Sequence, residues 1–418
     1  MVRILLLTHR LPLPPNRGDK IRSYHLLRHL VARHEVTVAC PIDDPRDLEH
    51  LPALRELCAE TLTERIDGRW AKLRWPLALL RGDAISTVHF HHPTLQARLD
   101  ALLDRQRFDA VICYSAPMAA YVFRSRHRAA LLDGPVTIMD LIDVDSLKWA
   151  DYAAAAPPWT AWVYRRESAK LASLEAQIVE HFDSVALTTA DEVALLRSRL
   201  PGARSIEVLA NGVDLAFYDR ALAPPRPDGR PDGPAIVFTG VMDYAPNVDA
   251  VTWFADEVLP KVRAHVTDAQ FVIVGSRPTP AVLALAERDA ITVTGFVDDV
   301  RADLGAAAVC VAPLRIARGV QNKVLEAMAM GRPVVCTSAA ATGIEARAGQ
   351  ELLVADEAAE FAAQVCWLLA DQAAADRLGR AGREFVERHH RWADNLARLD
   401  RMLGQDHPAD EHALAAHG

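Results

Sequence analysis

What most constrains this chain is a rhythm: short runs of Val, Ile, Leu and Ala recur along it, with helix-length amphipathic stretches between them. In the first half the runs are RILLLT (3–8), EVTVAC (35–40), DAVICY (109–114), VTIMDLI (136–142), SVALTT (184–189) and SIEVLA (205–210). In the second half they are AIVFTG (235–240), QFVIVG (270–275), ITVTG (291–295), AAVCVAP (307–313), PVVCT (333–337) and ELLVA (351–355). Helical patterns fill most intervals, for example 21–33, 247–264 and 356–370. Continuous apolar strands separated by helices predict parallel sheet covered on both faces, the α/β doubly wound class. No repeat of 20–50 residues is visible.

At 418 residues the chain exceeds one ordinary core, so two domains are expected. The stretch ALAPPRPDGRPDGPA, dense in Pro, Gly, Asp and Arg, reads as the linker. The expected organisation is a first Rossmann-like domain over 1–220, a linker over 221–234 and a second Rossmann-like domain over 235–390. A C-terminal helix and tail would follow over 391–418, ending in the frayed HPADEHALAAHG. Two such domains would face a cleft with the carboxyl ends of their strands, where open α/β sheets bind ligands. A net charge of -8 argues against a general nucleic-acid binder. Six scattered cysteines without a C-x-x-C pair read as small buried hydrophobes in a reducing compartment. The N-terminal MVRILLLTHRLP is too short for a signal core, and no window spans a membrane, so a cytoplasmic location is expected.

The segment RGVQNKVLEAMAMGRPVV (318–335) reads as loop, helix, Gly stop and strand. Its helix would start near Gly319 to Asn322, presenting unpaired backbone N–H groups and a partial positive charge. Arg315, Arg318 and Lys323 add cations at that end, which opposes the dipole unless an anion such as a diphosphate binds there. Gly319 permits close backbone approach. Glu326 shares a helical side with Asn322 and Lys323 and could accept hydrogen bonds from ribose hydroxyls; the bland alternative is an exposed Lys–Glu pair. No P-loop and no G-x-G-x-x-G after a strand are present.

NKVLEAMAMGRPVV resembles the donor-site signature of retaining GT-B glycosyltransferases, especially glycosyltransferase family 4. VLANGVDLAFY (208–218), VTGFVDDVRADLGAAAVCVAPL (293–314) and PLPPNRGDKIRSYHLLRHLVARHEVTVA (12–39) resemble further family segments in the same order. PNRGDKIRSYHLLRHL, DLIDVDSLKWADYA and PLRIARGVQNKVLEAMAMG resemble more closely a branch of sugar transferases linked to exopolysaccharide and exosortase systems. The resemblance implies transfer of a hexose-like unit from a nucleotide diphosphate sugar to a saccharide or lipid-linked acceptor with retention. It also implies no metal and no cofactor. It places Glu326 on the ribose, the loop Arg315, Arg318, Gly319, Val320, Gln321, Asn322 and Lys323 on the diphosphate, and Gly240 and Phe296 at the donor. Gly18 and Asp19 fall on the first-domain loop near the acceptor, with Asp19 also suited to capping the following helix.

Three departures matter. The first of the family's two donor glutamates is Arg318 here, which can clamp phosphate but cannot accept from hydroxyls. The Arg and Lys expected after FTG are replaced by Val241 and MDYAPN, so Arg315, Arg318 and Lys323 are expected to substitute. Ile142 stands where many members have a histidine before Asp143. Asp140, Asp143 and Asp145 crowd that strand end, where paired carboxylates could supply a base; a helix N-cap is the alternative. His9, ending the first strand, is either catalytic or a hydrogen-bonded structural residue. HFHH (89–92) reads as a surface cluster rather than a zinc site. RWAKLRWPLALLR (69–81) is basic, Trp-rich and acid-free, and suits either contact with the inner membrane face or a surface-packed helix. Two rival functions stand beside transfer: a nucleotide-sugar epimerase of the same build, and a non-catalytic nucleotide-sugar-binding partner.

Overall fold

The computed structural model describes residues 1–404 apart from 68–74, 77, 79–81, 203–204, 227, 231 and 318. Arg318, the tail and all of 69–81 except Trp75, Pro76 and Ala78 therefore lie outside the described residues. The chain forms two compact units, one from Met1–Ala210 with the chain from Ala393 onward, the other from Asn211–Trp392.

In the first unit seven strands make one sheet: β1 (Arg3–Thr8), β2 (Glu35–Ile42), β3 (Glu60–Arg65), β4 (Ala110–Tyr114), β5 (Val136–Ile142), β6 (Ser184–Leu187) and β7 (Ile206–Val208). Their order is β3-β2-β1-β4-β5-β6-β7, and every adjacent pair is parallel. Ile4 through Leu7 of β1 are fully buried because helices cover both faces of a central parallel strand. β3 was not anticipated. Its sequence, ETLTER, has one buried apolar side chain, Leu62, because an edge strand needs only one apolar contact to hold it. The final helix, Trp392–Met402, returns to this unit: Asp400 accepts from His29 Nε2 at 2.8 Å and from Arg33 at 2.6 Å.

The second unit has six strands: β8 (Ala235–Thr239), β9 (Gln270–Val274), β10 (Ile291–Gly295), β11 (Val309–Ala312), β12 (Val334–Cys336) and β13 (Leu353–Val354). The order is β10-β9-β8-β11-β12-β13, again parallel throughout. The expected class, doubly wound parallel sheets in two Rossmann-like units, is the observed one. Residues 221–234 belong to the second unit, where Arg230 grips Asp303 through two hydrogen bonds of 2.6 and 2.9 Å. All six cysteines are free; Cys40, Cys113, Cys310 and Cys336 are buried.

Each sheet has one place where strand order reverses: between β1 and β4, and between β8 and β11. Loops leaving the carboxyl ends on either side diverge there, opening a crevice into which helix N-termini point. His9, Gly18 and Asp19 lie at the first of these points and the loop 313–321 with the helix Asn322–Ala329 at the second, whereas Asp143 and Asp145 follow β5 and Phe296 follows β10.

Candidate functional sites at the two strand switch points

In the second unit, β11 runs into the loop 313–321 and then the helix Asn322–Ala329. Gly319, at φ 63°, takes the left-handed turn that reverses the chain into the helix. Gln321 is the N-cap residue and makes no side-chain cap bond; its amide Nε2 instead donates to Gly319 O at 3.2 Å. Val324, Leu325 and Met328 bury the core face of the helix. Lys323 and Glu326 lie on the other side, half-buried, and turn to different partners.

Lys323 reaches back to the end of β8. Its Nζ donates to Asn247 Oδ1 at 2.5 Å and lies 4.4 Å from the centre of the Phe238 ring. Asn247 in turn donates to Val241 O at 2.9 Å, which locks the amide so that its oxygen faces the ammonium. Burial lowers the Lys323 pKa to about 7, against the opposing pull of Glu326. Burial raises Glu326 to about 6, opposed by its hydrogen bond with Tyr218 and by the Lys323 charge. A desolvated cation and a desolvated carboxylate are thus held one turn apart with neutral hydrogen-bond partners.

The floor of this site is two glycines. A Cβ on Gly240 would lie 2.7 Å from Asn247 Nδ2 and 3.3 Å from Lys323 Nζ; one on Gly275 would lie 1.6 Å from Gly240 O. The ends of β8 and β9 can touch only because both lack side chains. Gly275→Ala is expected to push the Gly240 backbone toward Lys323, costing about 1–3 kcal/mol of stability. A urea melt checks the cost, and wild-type stability in the variant would refute the contact.

Arg315 is exposed and committed to Asp249, donating from Nε at 3.0 Å and making a second, shorter contact. Its charge is therefore partly neutralised. Asn322 Oδ1 accepts from Asn211 at 3.3 Å, which ties the start of the stretch Asn211–Asp214 to the start of the helix. Val320 packs on the core. Phe296 is 69% exposed, following Gly295 at φ 70°. Arg301 covers Phe217, its guanidinium carbon 4.0 Å from the ring centre, while bidentate to Asp299. Sequence reading missed Asn247, Tyr218 and Phe238. Tyr218 closes VLANGVDLAFY and Asn247 closes MDYAPN, and nothing local in either stretch marks it as a partner of the helix 322–329.

In the first unit, His9 follows β1 and is 6% exposed. Its ring stacks on Tyr114, the last residue of β4, at 5.5 Å and meets Phe90 edge-on at 5.2 Å. His9 Nε2 lies 3.3 Å from Asp19 Oδ2 and from Arg10; Nδ1 is buried without a partner. Asp19 does not cap its helix, Gly18–Val31; Arg17 occupies the N-cap position, also without a side-chain bond. Asp19 instead pairs with Arg10, which also donates to Asp43 at 2.7 Å. Burial pushes the Asp19 carboxyl up, but the His9 bond and the Arg10 charge outweigh it and hold it far below the usual range.

Asp140, Asp143 and Asp145 do not act as a cluster. Asp140 is buried and bidentate to Arg22, at 2.8 and 3.0 Å, and Arg22 also donates to Leu209 O at 2.8 Å. Ile142 adopts φ 74°, costly for a β-branched residue, with its N–H donating to Asp140 Oδ1 at 3.2 Å. This kink turns Asp143 to Thr188, whose hydroxyl donates at 3.3 Å. Burial raises Asp143 to about 6; Lys148 opposes this, and Asp145 and Glu192 add to it. Asp145 begins the helix Asp145–Ala155 beside Lys148, at 3.8 Å, in the position a helix dipole favours. Beneath that turn, Glu175 accepts from Ser146 N at 2.8 Å and Ser146 Oγ at 2.6 Å, so the loop carrying Asp143 is rigidly seated.

Residues 233–371, which lie in the second unit, match the family model described as Glycosyl transferases group 1. No curated protein matches the chain. Among solved structures, a sucrose-phosphate synthase from Thermosynechococcus elongatus is similar at TM-score 0.72 and 19% identity, covering 96% of this chain and 98% of that one. Anabaena HepE in complex with UDP and glucose is similar at TM-score 0.67 and 12% identity, covering 97% and 100%. WaaG, a glycosyltransferase involved in lipopolysaccharide biosynthesis, is similar at TM-score 0.64 and 13% identity, covering 96% and 100%. At these identities the likeness establishes the fold, which is GT-B.

Proposed function

We propose that this chain is a glycosyltransferase that moves a hexose-like unit from a nucleotide diphosphate sugar to a saccharide or lipid-linked saccharide acceptor. The observation that carries the reading is Lys323, held by Asn247 over Phe238 at the β8–β11 switch point, with Glu326 one turn behind it. A cation at a helix N-terminus neutralises charge that develops on a leaving diphosphate, and a carboxylate behind it accepts from ribose hydroxyls. UDP in the HepE complex supports a nucleotide donor for the same fold. The free N–H groups of Asn322 and Lys323, with Gly319 and Val320 before them, complete the phosphate contact. Phe296 offers an exposed aromatic face to the base. Retention and a place in exopolysaccharide assembly rest on the sequence resemblance; work at the cytoplasmic side of a membrane rests on the basic, Trp-rich stretch 69–81 and the lack of a signal core in the sequence. No described helix is long and apolar enough to cross one.

The first unit takes the acceptor, with His9, Gly18 and Asp19 at its switch point and Asp143 on the strained loop after β5. Asp143 fits the role of a proton acceptor or hydroxyl-orienting group better than Asp145, whose carboxylate serves its own helix. The group 1 match favours transfer over the epimerase. Incubation with UDP-, GDP- and ADP-sugars tests the reading: hydrolysis or transfer supports the enzyme, binding without turnover the non-catalytic partner. Product NMR reads the anomeric configuration.

A pH profile follows from Asp143. Its raised pKa means that the carboxylate forms only above about 6, so kcat/KM should fall on the acid side near that value. Asp143→Asn should remove that limb along with most of the rate. The same shift works against the fold: the native state keeps its proton longer than the unfolded chain, so this group's contribution to stability declines as pH rises from about 4 to about 6. An unchanged acid limb in the variant would exclude Asp143 as the titrating group.

A further inference from the structure

We infer that the first turns of the helix Pro158–His181 form a membrane-docking face for anionic lipid, built on Trp159, Trp162 and Arg165. The inward stripe of this helix is Ala161, Glu167, Leu171, Glu175 and Ile178, all buried. The outward stripe begins with Trp159, 75% exposed, and Trp162, 50% exposed, and continues through exposed Arg165. Further along it becomes Ser173, Ala176 and Glu180, a normal solvated face. Only the amino-terminal half therefore carries large apolar side chains into solvent, and it does so with the residue type that prefers a lipid–water boundary.

Charge identifies the occupant. The run APPWTAWVYRR (156–166) holds no acid and two arginines, of which Arg165 is exposed and Arg166 is held by backbone carbonyls, in a chain whose net charge is -8. A protein of that overall charge is repelled by an anionic bilayer unless a local basic and aromatic patch makes the contact. Trp159 and Trp162 supply the apolar insertion and Arg165 the headgroup contact. The support beneath is rigid. Trp149 meets Tyr152 and Tyr164 at 5.8 and 5.4 Å, joining this helix to the helix Asp145–Ala155.

A second stretch is fastened to the same turns. Arg166 donates to Ala78 O at 2.9 Å and Asp83 O at 3.0 Å. Glu167 accepts from Ile85 N at 2.6 Å, Ser86 N at 2.9 Å and Ser86 Oγ at 2.7 Å. This ties the chain just after Trp75, itself 38% exposed, to the helix bearing the docking face. The inference does not depend on sugar transfer, and losing it would leave the donor site untouched.

Flotation of the full chain with phosphatidylcholine vesicles, with and without phosphatidylglycerol, tests it. The wild type is expected to float with the anionic vesicles and to be released by salt. The W159A/W162A pair should lower the bound fraction about tenfold or more. Arg165→Glu should weaken binding to anionic vesicles only. Both rings are exposed, so the melting temperature should match the wild type. Should the pair melt early, Trp159→Ala alone carries the same test. Wild-type protein that stays unbound at low salt, or a double variant that floats equally well, would overturn the proposal. So would a dimer seen by light scattering that the double variant abolishes without any vesicle binding, since that assigns the face to a second copy.

Discussion

Lys323→Ala is expected to weaken binding of a nucleoside diphosphate sugar by about 1.5–3 kcal/mol, roughly 10- to 150-fold, the usual worth of a hydrogen bond to a charged group. The expectation rests on how the ammonium is held. Asn247 fixes it at 2.5 Å, Phe238 covers one side, and Gly240 leaves the approach open. Because burial lowers its pKa to about 7, the lysine sheds its proton readily in the empty site and recovers it when a diphosphate arrives. Donor affinity should therefore fall as pH rises above 7, with proton uptake visible by calorimetry in buffers of different ionisation enthalpy. Lys323→Arg should restore part of the affinity and flatten the pH dependence, since guanidinium stays charged.

A stability signature separates this role from a structural one. Between about pH 7 and 10.5 the unfolded chain binds more protons than the native state at this position, so stability rises with pH across that window. Lys323→Met should remove that slope and stabilise the fold at neutral pH while weakening donor binding about as much as Lys323→Ala does. A variant that loses both stability and affinity would make the lysine a structural residue instead. Arg315 offers a contrast: it is already paired with Asp249, so Arg315→Ala should change donor affinity far less.

The second large effect concerns the first unit. Asp140→Ala is expected to destabilise it by about 3–5 kcal/mol, because Arg22 would keep its buried charge but lose the carboxylate that grips it through two hydrogen bonds. The same change removes the acceptor of the Ile142 N–H, so the strained turn presenting Asp143 should relax and any activity fall even where the protein folds. Joint replacement of Arg22 by Met and Asp140 by Leu should recover much of the stability but none of the turn geometry. Urea unfolding followed on the first unit reads the stability, and turnover reads the turn. A single variant within about 1 kcal/mol of the wild type would show that the pair is not the anchor inferred here.

The doubly wound class, nearly every strand and the donor helix were legible because they are local. Strand and helix periods, a Gly stop and a Lys–Glu spacing of three depend on neighbours in sequence alone. β3 escaped because a half-exposed edge strand leaves little apolar signal. The aspartates illustrate the limit best. In sequence Asp140, Asp143 and Asp145 look equivalent, yet one answers Arg22, one is swung away by a kink at Ile142, and one serves its own helix. Asp19 likewise reads as a cap and is an ion-pair hub, because its partner Arg10 comes from another element.

From the sequence alone came the alternation that dictates two parallel sheets, and the cluster of charge at the start of the 322–329 helix. Tertiary structure alone decided where those charges point. Lys323 meets Asn247, Glu326 meets Tyr218 and Arg22 meets Asp140 across dozens of residues or more. The free energy of a half-buried or buried charge depends on whichever partner the fold places opposite it, and no local pattern encodes that.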